Sequence, residues 1–143
     1  MKVAIPTDDG IMVALDFENA SKFLVADISP GKIGRRTMRT NPALSFPTKK
    51  VKLSAPSSVY CAEIAHKLSD CRAAIAMLIS DEMRYALERL GIDVIVSFEP
   101  LVDRVLALFA VGALKDIRRF YESLLAEEVV NIPETPDVKE FDG

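Results

Sequence analysis

Apolar and polar positions divide the chain into two parts with different periods. In the first 40 residues the runs are short and strand-like. Residues 2–6 form a strand that Pro6 and the Asp8-Asp9-Gly10 turn bring to an end. Residues 22–28 form a second strand. Ser29-Pro30-Gly31-Lys32 reads as a hairpin-type turn, with Pro presetting one dihedral and Gly free to take positive φ. Residues 33–40 follow as a third strand, placed at a sheet edge by Gly34 and by Arg35, Arg36 and Arg39. Residues 41–56 hold three prolines and no periodicity, and read as a loop.

Beyond that loop the period becomes helical. Residues 58–68 place Tyr60, Cys61, Ile64, Ala65 and Leu68 on one face. Residues 73–79 are uninterruptedly apolar, as in a strand buried on both faces of a parallel sheet. Ser80 caps a second helix with Asp81 and Glu82 in its first turn, where the helix dipole favours acids. Met83, Ala86, Leu87 and Leu90 form its stripe, and Gly91 ends it as a left-handed cap. Residues 92–96 form another buried strand. Pro100 opens a third helix at a position that needs no N–H, with Leu101, Val102, Val105, Leu106, Leu108 and Phe109 on its buried face. After a break at Gly112, Ile117, Phe120, Tyr121, Leu124 and Leu125 recur at the spacing of a fourth helix. The pattern predicts an α/β fold, a mixed five-stranded sheet with helices on both faces. It forms one domain over residues 1–126, and residues 127–143, with Pro133, Pro136 and six acids, read as a weakly ordered tail.

Of the 143 residues 50% are hydrophobic and 27% charged, which excludes a mostly disordered chain. The longest apolar run, residues 105–114, is well short of the ~18 residues of a membrane span. Pro6 stands where a secretory leader would need a continuing apolar stretch, and two cysteines make no disulfide framework. A cytoplasmic protein without a membrane partner is expected. The net charge of −3 argues against nucleic acid as a partner but hides an asymmetry. Between Ile28 and Ala62 there is no acid, while Lys32, Arg35, Arg36, Arg39, Lys49, Lys50 and Lys52 all fall there. Such a stretch can steer an anionic ligand or partner, or can simply keep an edge strand and its loop soluble.

The remaining chemistry is sparse. Cys61, His66 and Cys71 are the soft ligands besides methionine. Five helical residues advance ~500°, so Cys61 and His66 point apart, and no metal site is expected. Asp8, Asp9, Asp16, Glu18 and Asp27 cluster near the ends of the first two strands and could hold magnesium for phosphoryl transfer. Such chemistry needs acids within the first strand, where Val3, Ala4 and Ile5 stand instead. The six glycines are scattered and make no phosphate loop, and one histidine makes no catalytic triad. No catalytic residue is assigned, and the protein is not expected to be an enzyme.

The succession of elements and several local motifs resemble the dinitrogenase iron–molybdenum cofactor biosynthesis family, which includes NifX-like carriers and the C-terminal part of NifB-like proteins. The opening Met1-Lys2-Val3-Ala4-Ile5-Pro6-Thr7-Asp8-Asp9-Gly10 looks like the family's start. Residues 16–23, Asp-Phe-Glu-Asn-Ala-Ser-Lys-Phe, are similar to its His-Phe-Gly-Arg-Ala-x-x-Phe turn. Leu90-Gly91-Ile92-Asp93-Val94 and Phe109-Ala110-Val111-Gly112-Ala113-Leu114 match its closing pattern. The resemblance covers residues 1 to about 115 and implies a ribonuclease-H-like three-layer fold. Asp16 stands where the family has His and Glu18 where it has Gly. Ser54-Ala55-Pro56-Ser57-Ser58 replaces its Gly- and His-rich stretch, and Ile79-Ser80-Asp81-Glu82 its Gly-x-Gly-like turn.

The resemblance implies a small binding or carrier domain related to metal-cluster biosynthesis, with an iron–molybdenum or iron–sulfur cluster, or a diverged anionic ligand, as its cargo. Arg35 and Arg39 share one face of their strand and Arg36 takes the other. Arg35, Arg39, Lys49 and Lys50 are the candidate anion-binding residues, since guanidinium groups grip carboxylate or phosphate oxygens as a fork. Asp16, Phe17 and Asn19 form a neighbouring wall in the turn the family uses. The alternatives are a protein–protein interaction or regulatory module without cofactor and, third, a metal-dependent nuclease.

Overall fold

Val3, Ala4 and Ile5 are wholly shielded from solvent and mark the centre of the sheet. The computed structural model describes residues 1–45 and 57–118. β1 (Lys2–Thr7) pairs antiparallel with β2 (Lys22–Ser29) on one side and parallel with β4 (Ala73–Ala76) on the other. β3 (Lys32–Thr40) adds antiparallel to β2, and β5 (Asp93–Val96) adds parallel to β4. The order is β3-β2-β1-β4-β5, a mixed five-stranded sheet.

The alternation of side chains divides the core into two layers. On one face Ala4, Phe23, Val25, Ala74, Ala76 and Val94 pack under α1 (Ser57–Lys67) and α2 (Asp81–Glu88). On the other, Val3, Ile5, Leu24, Ala26, Ile28, Ala73 and Ile75 pack under Val102, Val105 and Leu106 of α3 (Val102–Ala110). The architecture is therefore three-layered. The Ser80 hydroxyl accepts the Met83 N–H at 3.1 Å as the cap of α2, and Gly91 follows that helix at φ +79°. Among the described residues no helix is long and apolar enough to cross a membrane.

Four expectations change. β1 continues through Pro6 to Thr7, because its ladder with β4 covers only Val3 and Ala4 and the missing N–H removes no bond on that side. The apolar run 73–79 is a strand only to Ala76; Leu78 leaves the ladder, bridges to Asp16 and is half exposed. Helix α3 starts at Val102, not Pro100, because Leu101 is extended and bridged to Met12. Leu90 lies outside the α2 stripe and is half exposed. Of the fourth helical pattern only Ile117 and Arg118 are described; Phe120, Tyr121, Leu124, Leu125 and the tail lie outside the described residues.

Both edges of the sheet are protected by charge. A bulge sets Gly34 and Arg35 together against Asp27, between the pairs Ala26–Arg36 and Ile28–Ile33. A Cβ at Gly34 would stand 3.2 Å from the Asp27 carbonyl oxygen, so the close approach there suits glycine. Arg36 donates to Asp103 of α3 at 2.6 Å. Arg39 grips both carboxylate oxygens of Asp70 at 2.7 and 2.8 Å and the Lys67 carbonyl at 2.9 Å, on the α1 side. The two side chains thus staple β3 to opposite helical layers. At the far edge Arg118 donates to the Val94 carbonyl at 2.6 Å, and Asp116 accepts the Val96 N–H at 3.4 Å. Burial raises the Asp116 pKa, but its bonds from Arg118 outweigh that and hold it below the ordinary value. These contacts occupy β5 groups that would otherwise invite another strand.

Candidate functional site at the carboxyl edge

The chain leaves β1 toward β2 on one side, while β4 lies on the other. This reversal falls at the carboxyl edge of the parallel strands, where α/β sheets commonly bind ligands. Residues 8–20 run across it. Thr7 starts the crossing: its hydroxyl donates to the Met12 carbonyl at 2.6 Å and accepts the Gly10 N–H at 2.8 Å. The Ala14 N–H then reaches the Pro6 carbonyl of β1. Over β4, Phe17 N–H donates to the Leu78 carbonyl at 2.9 Å and Leu78 N–H to the Leu15 carbonyl at 3.0 Å. Past β5, Val13 N–H donates to the Pro100 carbonyl at 2.8 Å and Val102 N–H to the Ile11 carbonyl at 2.9 Å. One loop therefore ties three strand ends together.

Its acids serve that construction. Asp9 accepts the Ile11 and Met12 N–H groups at 2.8 and 2.9 Å, and Asp8 accepts the N–H and hydroxyl of Ser21 at 2.8 and 2.9 Å. The Ser21 N–H and then its hydroxyl hold Asp8 below the usual carboxylate pKa, and the Met12 and Ile11 N–H groups do so for Asp9. Asp16 accepts from the Asn19 amide at 2.6 Å, and Glu18 accepts the Ser80 N–H at 3.2 Å. Asp27 does not join them: it pairs with Lys2 at the opposite end of β1.

The candidate ligand residues separate. Asp16 and Asn19 lie on the crossing loop, whereas Phe17 is wholly buried, its ring 5.1 Å from that of Phe23. Arg35 sits exposed in the bulge near the opposite end of the sheet. Arg39 is engaged by Asp70, whose bonds raise its pKa. Lys49 and Lys50 lie outside the described residues.

Soft metal donors are not brought together. Cys61 and Cys71 are buried and His66 is exposed on α1. Burial, above all, pushes the Cys71 thiol up to about 11. Among the described residues no three His, Cys, Asp or Glu side chains converge on one point. The residues present therefore do not fit a cluster bound through protein thiolates or imidazoles.

Sequence reasoning missed the apolar side of this edge. Ile11, Met12, Leu15, Leu78, Phe98 and Leu101 are 44–64% exposed and are half of the twelve exposed large apolar residues described. The signal was present: residues 11–15 are a five-residue apolar run between two turns.

The comparisons agree with this architecture. No curated protein matches the chain. Among solved structures, PH0822 superposes with a TM-score of 0.63 at 20% identity, over 81% of this chain and 96% of its own. A Methanocaldococcus jannaschii protein assigned provisionally as a dinitrogenase gives 0.58 at 23% identity, over 80% and 92%. A Thermotoga protein assigned provisionally as NifB gives 0.57 at 19%, over 81% and 92%. At such identities these likenesses speak for the fold. The family profile described as dinitrogenase iron-molybdenum cofactor matches residues 1–112, most of the chain, and the protein belongs to that family.

Proposed function

We propose that this chain is a non-catalytic, cytoplasmic binding domain of iron–molybdenum cofactor biosynthesis. It holds an anionic cluster or small molecule as cargo by surface contact, without a metal–protein bond. The observation that carries the reading is the state of the donors. The acids on the crossing loop are fastened to N–H, hydroxyl and amide groups of the loop, of Ser21 and of Ser80, and both thiols are buried. Asp8 and Asp9, held low, supply no general acid near neutral pH, and a buried thiol raised to about 11 supplies no nucleophile. Family membership supports the cargo class.

The acid-free stretch supplies the positive surface. Arg36 and Arg39 are paired within the domain, whereas Arg35 and Lys32 are exposed and meet no carboxylate within 4 Å among the described residues. Arg35 is then the proposed anion contact among the described residues, while Lys49 and Lys50, which the sequence offers beside it, lie outside them. Isolated iron–molybdenum cofactor should co-elute with the protein in gel filtration, and the co-eluting molybdenum should fall as salt is raised. Arg35→Glu should reduce it at least tenfold. Binding that is insensitive to salt and to Arg35→Glu would refute the proposed site.

A further inference from the structure

The carboxyl edge of the sheet carries a surface that needs no cargo to be recognised. The backbone segments that carry the six apolar side chains are joined to one another. Met12 bridges to Leu101, Leu15 and Leu78 are joined through an N–H to carbonyl bond, Ile11 precedes Met12, and Phe98 lies on the turn leading to Leu101. Single exposed apolar residues are ordinary, but six on three joined segments at one edge point to an interaction surface. The three segments that carry them, residues 8–20, 77–80 and 97–101, contain five acids and no Lys or Arg. Four of those acids, Asp8, Asp9, Asp16 and Glu18, form no ion pair within 4 Å among the described residues; Lys22 beside the loop acts on Asp8 from farther away and offsets part of the negative charge. Glu99 alone is paired, to Arg104 at 3.1 Å.

We infer that this edge docks a protein partner that presents an apolar ridge flanked by Lys or Arg. The apolar group supplies the contact, and the carboxylate rim selects the charge of what approaches and speeds its encounter. A second copy of this chain is disfavoured, because facing edges would bring together two sets of segments rich in acid and without Lys or Arg. An anionic membrane is repelled for the same reason. The surface does not include Arg35, which lies near the opposite end of the sheet, so docking and cargo binding are tested by separate substitutions.

The probe is an amphipathic 14-residue peptide of Leu and Lys, titrated into the full-length 15N-labelled protein, beside its Leu and Glu counterpart. Amide shifts should concentrate in residues 8–20, 77–80 and 97–101 with the Lys peptide, and the Glu peptide should bind at least tenfold more weakly. Leu15→Ser with Phe98→Ser should weaken the Lys peptide at least tenfold, and Asp16→Asn several-fold, with melting temperatures near that of the parent. Phe98→Ser alone provides the same comparison should the double variant fold poorly. Shifts centred on the acidic residues 127–143, equal binding of both peptides, or binding unchanged by the Ser substitutions would overturn the proposal. So would self-association in sedimentation that the Ser substitutions abolish, or capture by anionic lipid vesicles.

Discussion

Replacing Asp70 with Asn removes the carboxylate that fastens edge strand β3 to the end of α1. The Arg39 fork, bonding both oxygens, holds the Asp70 pKa at about 2 against an ordinary 3.8. At ~1.4 kcal/mol per unit the shift corresponds to roughly 2.5 kcal/mol before screening. The Asp70 side chain is 49% exposed and the Arg39 side chain 21%, so solvent screening reduces this to about 1 kcal/mol. The sign follows from a folded-state pKa below the unfolded one. The contribution is complete above about pH 5, falls to about half near pH 3 and is lost as pH drops through the folded value. Unfolding free energies of parent and Asp70→Asn from urea titrations should therefore differ by about 1 kcal/mol at pH 7, or ~3 °C in Tm, and converge toward pH 2. Arg39→Met should produce a similar loss, and the double variant should lose less than the sum. No difference at pH 7, or a gap unchanged between pH 7 and pH 3, would refute the reasoning.

Ser80→Ala deletes the acceptor of the Met83 N–H and should destabilise the domain by about 1 kcal/mol in urea, with Ser80→Asp near neutral. Gly91→Ala forces a side chain onto φ +79° and should lower stability by about 1 kcal/mol although the space around it is open. Cys71 should resist iodoacetamide at pH 8 in the native protein and react fully in urea; Cys61, equally buried, should behave alike.

Much of the fold was legible because burial imposes a period on the chain. β2, β3 and α1 fall within a residue of their expected bounds, α2 starts where expected and ends two residues short, and the Ser80 cap and the Gly91 turn were written in the residue types. Local pattern failed where a distant strand decided the outcome. An apolar run from 73 to 79 cannot reveal that Leu78 will turn out to meet Asp16, nor can Pro100 reveal that Leu101 is held extended by Met12. The candidate site was less legible. Counting charges identified an acid-free stretch, but whether an arginine is free depends on carboxylates far along the chain. Arg36 meets Asp103 and Arg39 meets Asp70, separations of 67 and 31 residues. Phe17, placed on a ligand wall by resemblance, is instead a core ring against Phe23. The Asp116 and Arg118 cover of β5 has no periodic signature, since two side chains there replace a strand's backbone groups.

The most direct test of contact-only binding is X-ray absorption at the iron and molybdenum edges, recorded on isolated cofactor before and after it is bound by the protein. The account predicts no added sulfur or imidazole scatterer from the protein, and the same spectrum with Cys61→Ser, Cys71→Ser and His66→Ala together. A protein-derived sulfur or nitrogen neighbour at iron or molybdenum that disappears in that variant would contradict it.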